Sequence, residues 1–320
     1  MRKVDLKSFF EYARDKGISS LFVLGFLVLV LLVLEPKSMS LSSLSSLLDQ
    51  TSILLLLASA QCLIILMARI DLSNAAFCSL LTVITAASLN NFGFISIPII
   101  LIFAIFIGFV QSWFHQVFQV PSFVISLAFL SIASGCALVL TNASTVLVNP
   151  EFNFTKILFS SPAGIPVSFI FSSLIVGVVG VLLIKTPWGR SVRSVGFNQR
   201  ATTYSGINTF LVISSAFMVS SVLIVIAAML NVGQLGTASA SIADSYLLPA
   251  IASVVVGGTS IAGGIGGIGR TIWGVLIISL LRIGMDILGI NQNVQPLVYG
   301  LIIIISIAIT VDRSRVSVVA

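Results

Sequence analysis

TSILLLLASAQCLIILMARIDLSNAAFCSLLTVITAASLN, residues 51–90, decides the fold. Two apolar runs, each close to the length of a bilayer crossing, are parted by Arg69-Ile70-Asp71-Leu72-Ser73-Asn74. A helix needs about 20 mostly apolar residues to cross the hydrocarbon core. Asp, Ser and Asn are residue types that cap helix N-termini, so the sequence predicts a helix restarting at Asp71 or Ser73. Two readings of the interruption stand side by side. It is a capped turn at one membrane face, or a polar break that lines or gates a path. Backbone of the second kind is tolerated only where it faces protein or water.

The rest of the chain repeats the apolar pattern. Of 320 residues, 58% are hydrophobic and 8% charged, and the mean hydropathy is +1.17. Soluble domains carry roughly 25% charged residues, so a bilayer must supply the apolar solvent. Further spans fall at 18–34, 95–113, 122–141, 166–184, 207–230, 247–262, 270–288 and 295–311, beside 51–69 and 74–90. The predicted fold is all-α, a polytopic membrane bundle of about ten helices in one domain, 18–311. Segments 1–17 and 312–320 flank it, and a polar loop, 185–206, divides it. The charged start lacks a small-residue cleavage site, so the first run is expected to be a retained span and not a signal peptide. Span 247–262 is short and glycine-rich, and a re-entrant form is open.

The basic residues test this count, because cytoplasmic loops carry an excess of Lys and Arg. With the N-terminus inside, thirteen of the sixteen Lys and Arg fall inside: Arg2, Lys3, Lys7, Arg14, Lys16, Arg69, Lys185, Arg190, Arg193, Arg200, Arg270, Arg313 and Arg315. Lys37 and Lys156 fall outside, with Glu35, Asp49, Glu151 and Asp244. Both termini are therefore expected to be cytoplasmic. The net charge of +6 is a topology signal, and no nucleic-acid partner is expected.

Ionisable residues inside spans mark ion and proton pathways, and few occur here. Arg69 and Asp71 are one pair. Arg282 and Asp286 stand four apart, on one helix face, where they can pair or snorkel to the outer interface. Coupling energy must come from elsewhere, which disfavours a proton-driven carrier. A stand-alone secondary carrier would need inverted repeats and midplane ion sites, and a scaffold would have no use for one patterned basic loop. Cys62, Cys78 and Cys136 lie in apolar stretches and His115 is the single histidine, so neither disulfides nor a metal site are expected, and no cofactor is called for. Gly264 to Gly269 form a literal GxGxxG, but without the strand and the acidic residue of a dinucleotide site. These glycines instead allow close helix approach or a tight turn capped by Arg270. No phosphate-binding lysine motif occurs, so any ATP is hydrolysed by a partner.

In the loop, KTPWGRSVRSVGFNQRATTYSG from Lys185 to Gly206, Pro187 ends a span and Arg190, Arg193 and Arg200 stand among small polar residues. It is read either as a basic loop obeying charge topology or as a short amphipathic helix docking a cytoplasmic partner. Residues expected to face the bundle and meet a solute are Gln61, Asp71, Ser73, Asn74, Ser122, Phe123 and Ser126. Their polar groups can hydrogen-bond a polar solute, and the aromatic face can stack on it.

Four motifs together resemble one family, the permeases of ribose-, xylose- and galactose-type ATP-binding-cassette importers. They are RIDLSNAAF from Arg69, PSFVISLAFLSIASGCALVLT from Pro121, GRSVRSVGFNQRATTYSGI from Gly189 and AIASVVVGGTSIAGGIGGIGRTIWGVLII from Ala250. The resemblance covers residues 50–312. Ala68 and Arg69 stand where the family has glycines, Asn74-Ala75-Ala76 replace its Val-Gly-Ser, Phe197 replaces a glycine and Thr202 an alanine. The resemblance implies a multi-pass protein of the bacterial inner membrane that imports a sugar by alternating access. Related subunits of the wider family carry branched-chain amino acids, nucleosides or an autoinducer. It also implies cytoplasmic ATPase subunits, a second permease subunit, identical or related, and an extracytoplasmic solute-binding protein. Gly189, Arg190, Arg193, Gly196, Asn198, Arg200, Ala201, Thr202 and Gly206 would form the segment coupling to the ATPase.

Overall fold

The computed structural model describes residues 18–34, 40–149, 151, 160–161 and 164–310. The flanking segments 1–17 and 312–320, with Glu35, Lys37 and Lys156, lie outside the described residues. The protein is a bundle of helices. In chain order they are α1 (Ile18–Leu34), α2 (Leu41–Leu66), α3 (Asn74–Phe92), α4 (Ser96–Val117), α5 (Ser122–Thr141) and α6 (Val167–Lys185). Then come α7 (Pro187–Phe197), α8 (Gln199–Tyr204), α9 (Thr209–Leu235), α10 (Leu247–Val256), α11 (Ile268–Ile287) and α12 (Gln295–Thr310). Six described helical stretches are long and apolar enough to cross a membrane. They are Ser43–Leu66, Asn74–Val117, Ser122–Thr141, Val167–Lys185, Thr209–Leu235 and Ile268–Ile287. The second of these is α3 and α4, joined by a 3₁₀ turn at Gly93–Ile95.

The core sits on α2. Its residues from Thr51 to Leu66, and Met67 that caps it, are all buried, and α6, α9, α10 and α11 pack around it. The helix begins ten residues before the expected span, because Ser40 caps it, its hydroxyl accepting from the Ser43 amide at 3.3 Å. Ser168 Oγ donates to Asp49 in this added part. The outer helices show the opposite pattern. Ile102 and Phe106 on α4, Leu127 and Val139 on α5, and Leu174 and Val178 on α6 are exposed, as lipid-facing side chains must be.

Two regions leave helical geometry within the bundle. Between α2 and α3 the chain turns at Ala68, whose φ is +58°. Between α9 and α11 the crossing is made by the ten-residue α10 and irregular backbone at either end. The glycine run after α10 is a tight loop, with positive φ at Gly258, Gly263, Gly264, Gly266 and Gly267. Arg270 donates to the Gly258 carbonyl at 3.2 Å, as the turn reading expected. A small two-stranded antiparallel ladder interrupts the all-α architecture: β1 (Val146–Leu147) pairs with β2 (Thr237–Ala238), from a distant part of the chain. Asn90, near the end of α3, holds it by donating to the Leu147 carbonyl at 2.7 Å. This strand-pair end is opposite the basic end, where α7, α8 and the glycine loop lie.

Candidate functional site: a polar break joined to the basic helices

The break after α2 is built from a carboxylate and its donors. Asp71 Oδ1 accepts from the Ser73 amide at 2.9 Å, from the Ser73 hydroxyl, and from Gln111 Nε2 on α4 at 3.0 Å. Asp71 is 2% exposed, so these bonds replace the water it gives up. The helix restarts at Asn74 with Ser73 at the N-cap position, the second of the two expected points, Asp71 and Ser73, and Asp71 Oδ1 takes up the Ser73 amide. Asn74 Nδ2 then donates to the Leu57 carbonyl at 3.1 Å and to Gln61 Oε1 at 3.3 Å. Gln61 Nε2 and Asn74 Oδ1 are buried and have no partner among the described residues. Such orphaned groups cost stability unless something else binds them.

Arg69 turns away from Asp71. Its Nε donates to His115 Nε2 at 2.7 Å, Nη1 to the Met67 carbonyl at 2.8 Å, and Nη2 to Gln199 Oε1 at 2.7 Å. His115 accepts that bond on Nε2, so its Nδ1 is the donor to the Val120 carbonyl, 2.7 Å away. The Arg69–Asp71 pair expected from spacing is therefore replaced by two separate networks. Arg282 and Asp286 do not pair either. Arg282 lies over the Tyr246 ring, 5.1 Å from its centroid, and Asp286 accepts from Gln295 at 2.7 Å.

At the basic end the 185–206 stretch forms two helices, α7 and α8. Thr186 caps the first by accepting from the Gly189 amide at 3.3 Å, and Asn198 caps the second by accepting from the Ala201 amide at 3.0 Å. Val192, Val195 and Gly196 are buried, while Arg190 and Arg200 are exposed. Gly196 sits against the Leu66 carbonyl of α2 and the Gly264 amide, so closely that a Cβ would collide with both. Gly264 N donates to that same Leu66 oxygen at 2.8 Å. Arg193 donates to the Gly266 carbonyl at 2.6 Å. Thus α7 is fastened to the central helix and to the glycine loop.

Of the residues expected to meet a solute, Gln61, Asp71, Ser73 and Asn74 form one buried group. Ser126 is buried on α5, donating to the Phe123 carbonyl at 2.9 Å. Ser122 accepts from the Ile70 amide at 3.2 Å. Phe123 does not face the bundle interior; it is 49% exposed and lines a cavity of about 580 Å³ at the basic end with Arg69, His115, Ser122, Asn198 and Gln199. Thr202 is buried, whereas Asn198, Ala201 and Gly206 are exposed. The sequence reading passed over Gln111, His115 and Gln199. Gln111 and His115 stand four apart on α4, a spacing that puts two polar groups on one helix face.

A lipid-facing bundle with a buried polar break, tied by backbone contacts to a short basic helix pair, defines a polytopic membrane protein of the permease class. Residues 43–307 match the family described as branched-chain amino acid transport system / permease component; the chain belongs to this family and is an inner-membrane protein. It is 30% identical to the ribose import permease of Haemophilus influenzae, over 90% of this chain and 91% of that one. Similarity to the Bacillus subtilis ribose import permease is 32%, over 91% and 92%. To the galactose/methyl galactoside import permease of Escherichia coli it is 27%, over 97% of each. No solved structure matches the chain.

Proposed function

We propose that this chain is the permease subunit of an ATP-driven importer for a sugar of the ribose type. The basic end, with both termini, faces the cytoplasm, and α7–α8 receive the ATPase subunits. A second permease, identical or related, completes the pore, and a binding protein delivers solute at the strand-pair end. The observation that carries this reading is the seating of Gly196 on the Leu66 carbonyl and Gly264. It gives a partner pressing on α7 direct purchase on the central helix. Closure of ATP-loaded subunits would move α7, α2 and the polar break together, giving alternating access. The orphaned amides of Gln61 and Asn74 suit a neutral, hydroxyl-rich solute. An amino acid, the cargo in the family description, would need a cation and an anion partner at the same place.

The test is uptake of labelled D-ribose and D-galactose into vesicles carrying the chain with its ATPase and binding protein. Uptake that requires ATP and all three components supports the reading. Uptake without the ATPase would replace it with a secondary carrier, and leucine uptake in place of sugar would reassign the cargo.

A further inference from the structure

A helix of ten residues is about 15 Å long, half of the roughly 30 Å hydrocarbon core. The crossing that contains α10 is completed by GTASASIADSY, residues 236–246. Its depth is fixed at two points. Tyr246 lies beneath Arg282, roughly 21 Å along α11 from its basic end at 1.5 Å per residue. Ser79 Oγ accepts from the Ala243 amide at 3.0 Å and donates to Asp244 Oδ1 at 3.1 Å. Ser79 itself lies about 16 Å along α3 from Asn90, which holds the strand pair.

The side chains of this stretch are turned the wrong way for lipid. Ala243 and Tyr246 are buried and Ile242 packs on the core, while Ser241, Asp244 and Ser245 are exposed. A carboxylate at that depth is not left facing acyl chains, and open backbone there lines a water-filled space or protein. Ser79 holds one oxygen of Asp244; the other, Oδ2, has no partner among the described residues.

We infer that residues 239–246 wall a water-filled vestibule open at the strand-pair end, and that Asp244 accepts hydroxyl hydrogens of the incoming solute there. The solute class rests on the proposed function; the vestibule rests on depth and exposure alone. A fixed carboxylate with a free oxygen, flanked by the hydroxyls of Ser241 and Ser245, suits a polyhydroxylated, uncharged solute.

The test uses the full chain with its partners in right-side-out vesicles, in a Cys136→Ser background, since Cys62 and Cys78 are buried. Asp244→Cys and the milder Ser241→Cys are expected to react with a membrane-impermeant methanethiosulfonate added outside. Leu174→Cys, on the exposed apolar face of α6, is expected not to react. Asp244→Asn is expected to raise the half-saturation concentration for D-ribose roughly tenfold, the effect of losing one hydrogen bond to a charged acceptor. If neither cysteine at the wall reacts, the vestibule is overturned and the stretch faces a partner protein. An unchanged half-saturation in Asp244→Asn overturns the solute contact. Should the wild-type chain take up neither sugar with ATP, the proposed function fails and the solute contact with it, while the thiol reaction still decides the vestibule.

Discussion

Arg69 Nη2 donates to Gln199 Oε1 across 2.7 Å, and this bond runs from the break after the central helix to the first residue of α8. Both ends have further anchors: Arg69 holds His115 on α4, and Asn198 beside Gln199 caps α8. A buried guanidinium satisfied by neutral groups is sensitive to loss of any one of them. Arg69→Ala is expected to reduce ATP-driven uptake at least tenfold and to lower the melting temperature. Gln199→Ala is expected to do less of both. In a double-mutant cycle on uptake the two should couple by about 1 kcal/mol or more; additive effects would remove the bond from the coupling path.

Gly196 offers a sharper structural test. Gly196→Ala places a methyl group against two backbones that have no side-chain freedom with which to yield. A cost of about 3 kcal/mol or more is expected, read as a lower melting temperature in detergent and loss of ATPase capture. Gly269→Ala is the control, because nothing lies within 4 Å of its Cβ position; it is expected to leave both unchanged.

The arginines of α7–α8 divide into two kinds. Arg190 and Arg200 are exposed, so Arg190→Glu/Arg200→Glu is expected to abolish capture of the ATPase without moving the melting temperature. Arg193 donates to Gly266, and Arg193→Glu is expected to lower stability first. Capture by the Arg190/Arg200 double variant at wild-type levels would place the docking surface elsewhere.

Gln61 carries a buried Nε2 that has no partner among the described residues. Replacing it by leucine removes that orphan, so Gln61→Leu is expected to stabilise the chain by about 1 kcal/mol while raising the half-saturation concentration for sugar. That pair of outcomes would be the stability–activity trade-off of a residue that meets the solute. A more stable variant with unchanged uptake would remove Gln61 from the pathway.

For Asp71 the acceptor matters more than the charge. Asp71→Asn keeps an oxygen for the Ser73 amide and is expected to be mild. Asp71→Ala takes the acceptor from the Ser73 amide and hydroxyl and leaves Gln111 only Ser73 Oγ, 3.1 Å away; it is expected to cost about 2 kcal/mol, measured as a fall in melting temperature.

Much of this was legible in the residues, because bilayer physics acts on composition over about 20 residues at a time. The apolar runs located the helices, and Asp71 and Ser73 announced the restart at Asn74. The glycine run declared a turn, and the pattern of Lys185–Gly206 declared a separate unit. Partnership over long range was not legible. Sequence neighbours suggested Arg69 with Asp71, and Arg282 with Asp286. The fold instead brings His115, Gln111, Gln199, Tyr246 and Gln295 nearer in usable geometry. Helix faces had the same limit: Phe123 is expected from the sequence to face the bundle, yet α5 turns it outward because Ser126, Ala133 and Ala137 take the packed face against α3. The early start of α2 was hidden for a different reason, since a serine-rich first turn looks like a loop until Ser40 closes its cap.

The meeting of Gly196, Leu66 and Gly264 has a mechanical meaning. Side chains yield to displacement by changing rotamer; main chains in contact cannot, and close-packed interiors transmit strain. A push delivered to α7 therefore reaches the end of the central helix without backlash, and a displacement of the polar break returns to α7 just as fully. The junction behaves as a rigid linkage, so that occupancy within the membrane and the posture of the basic helices form a single variable.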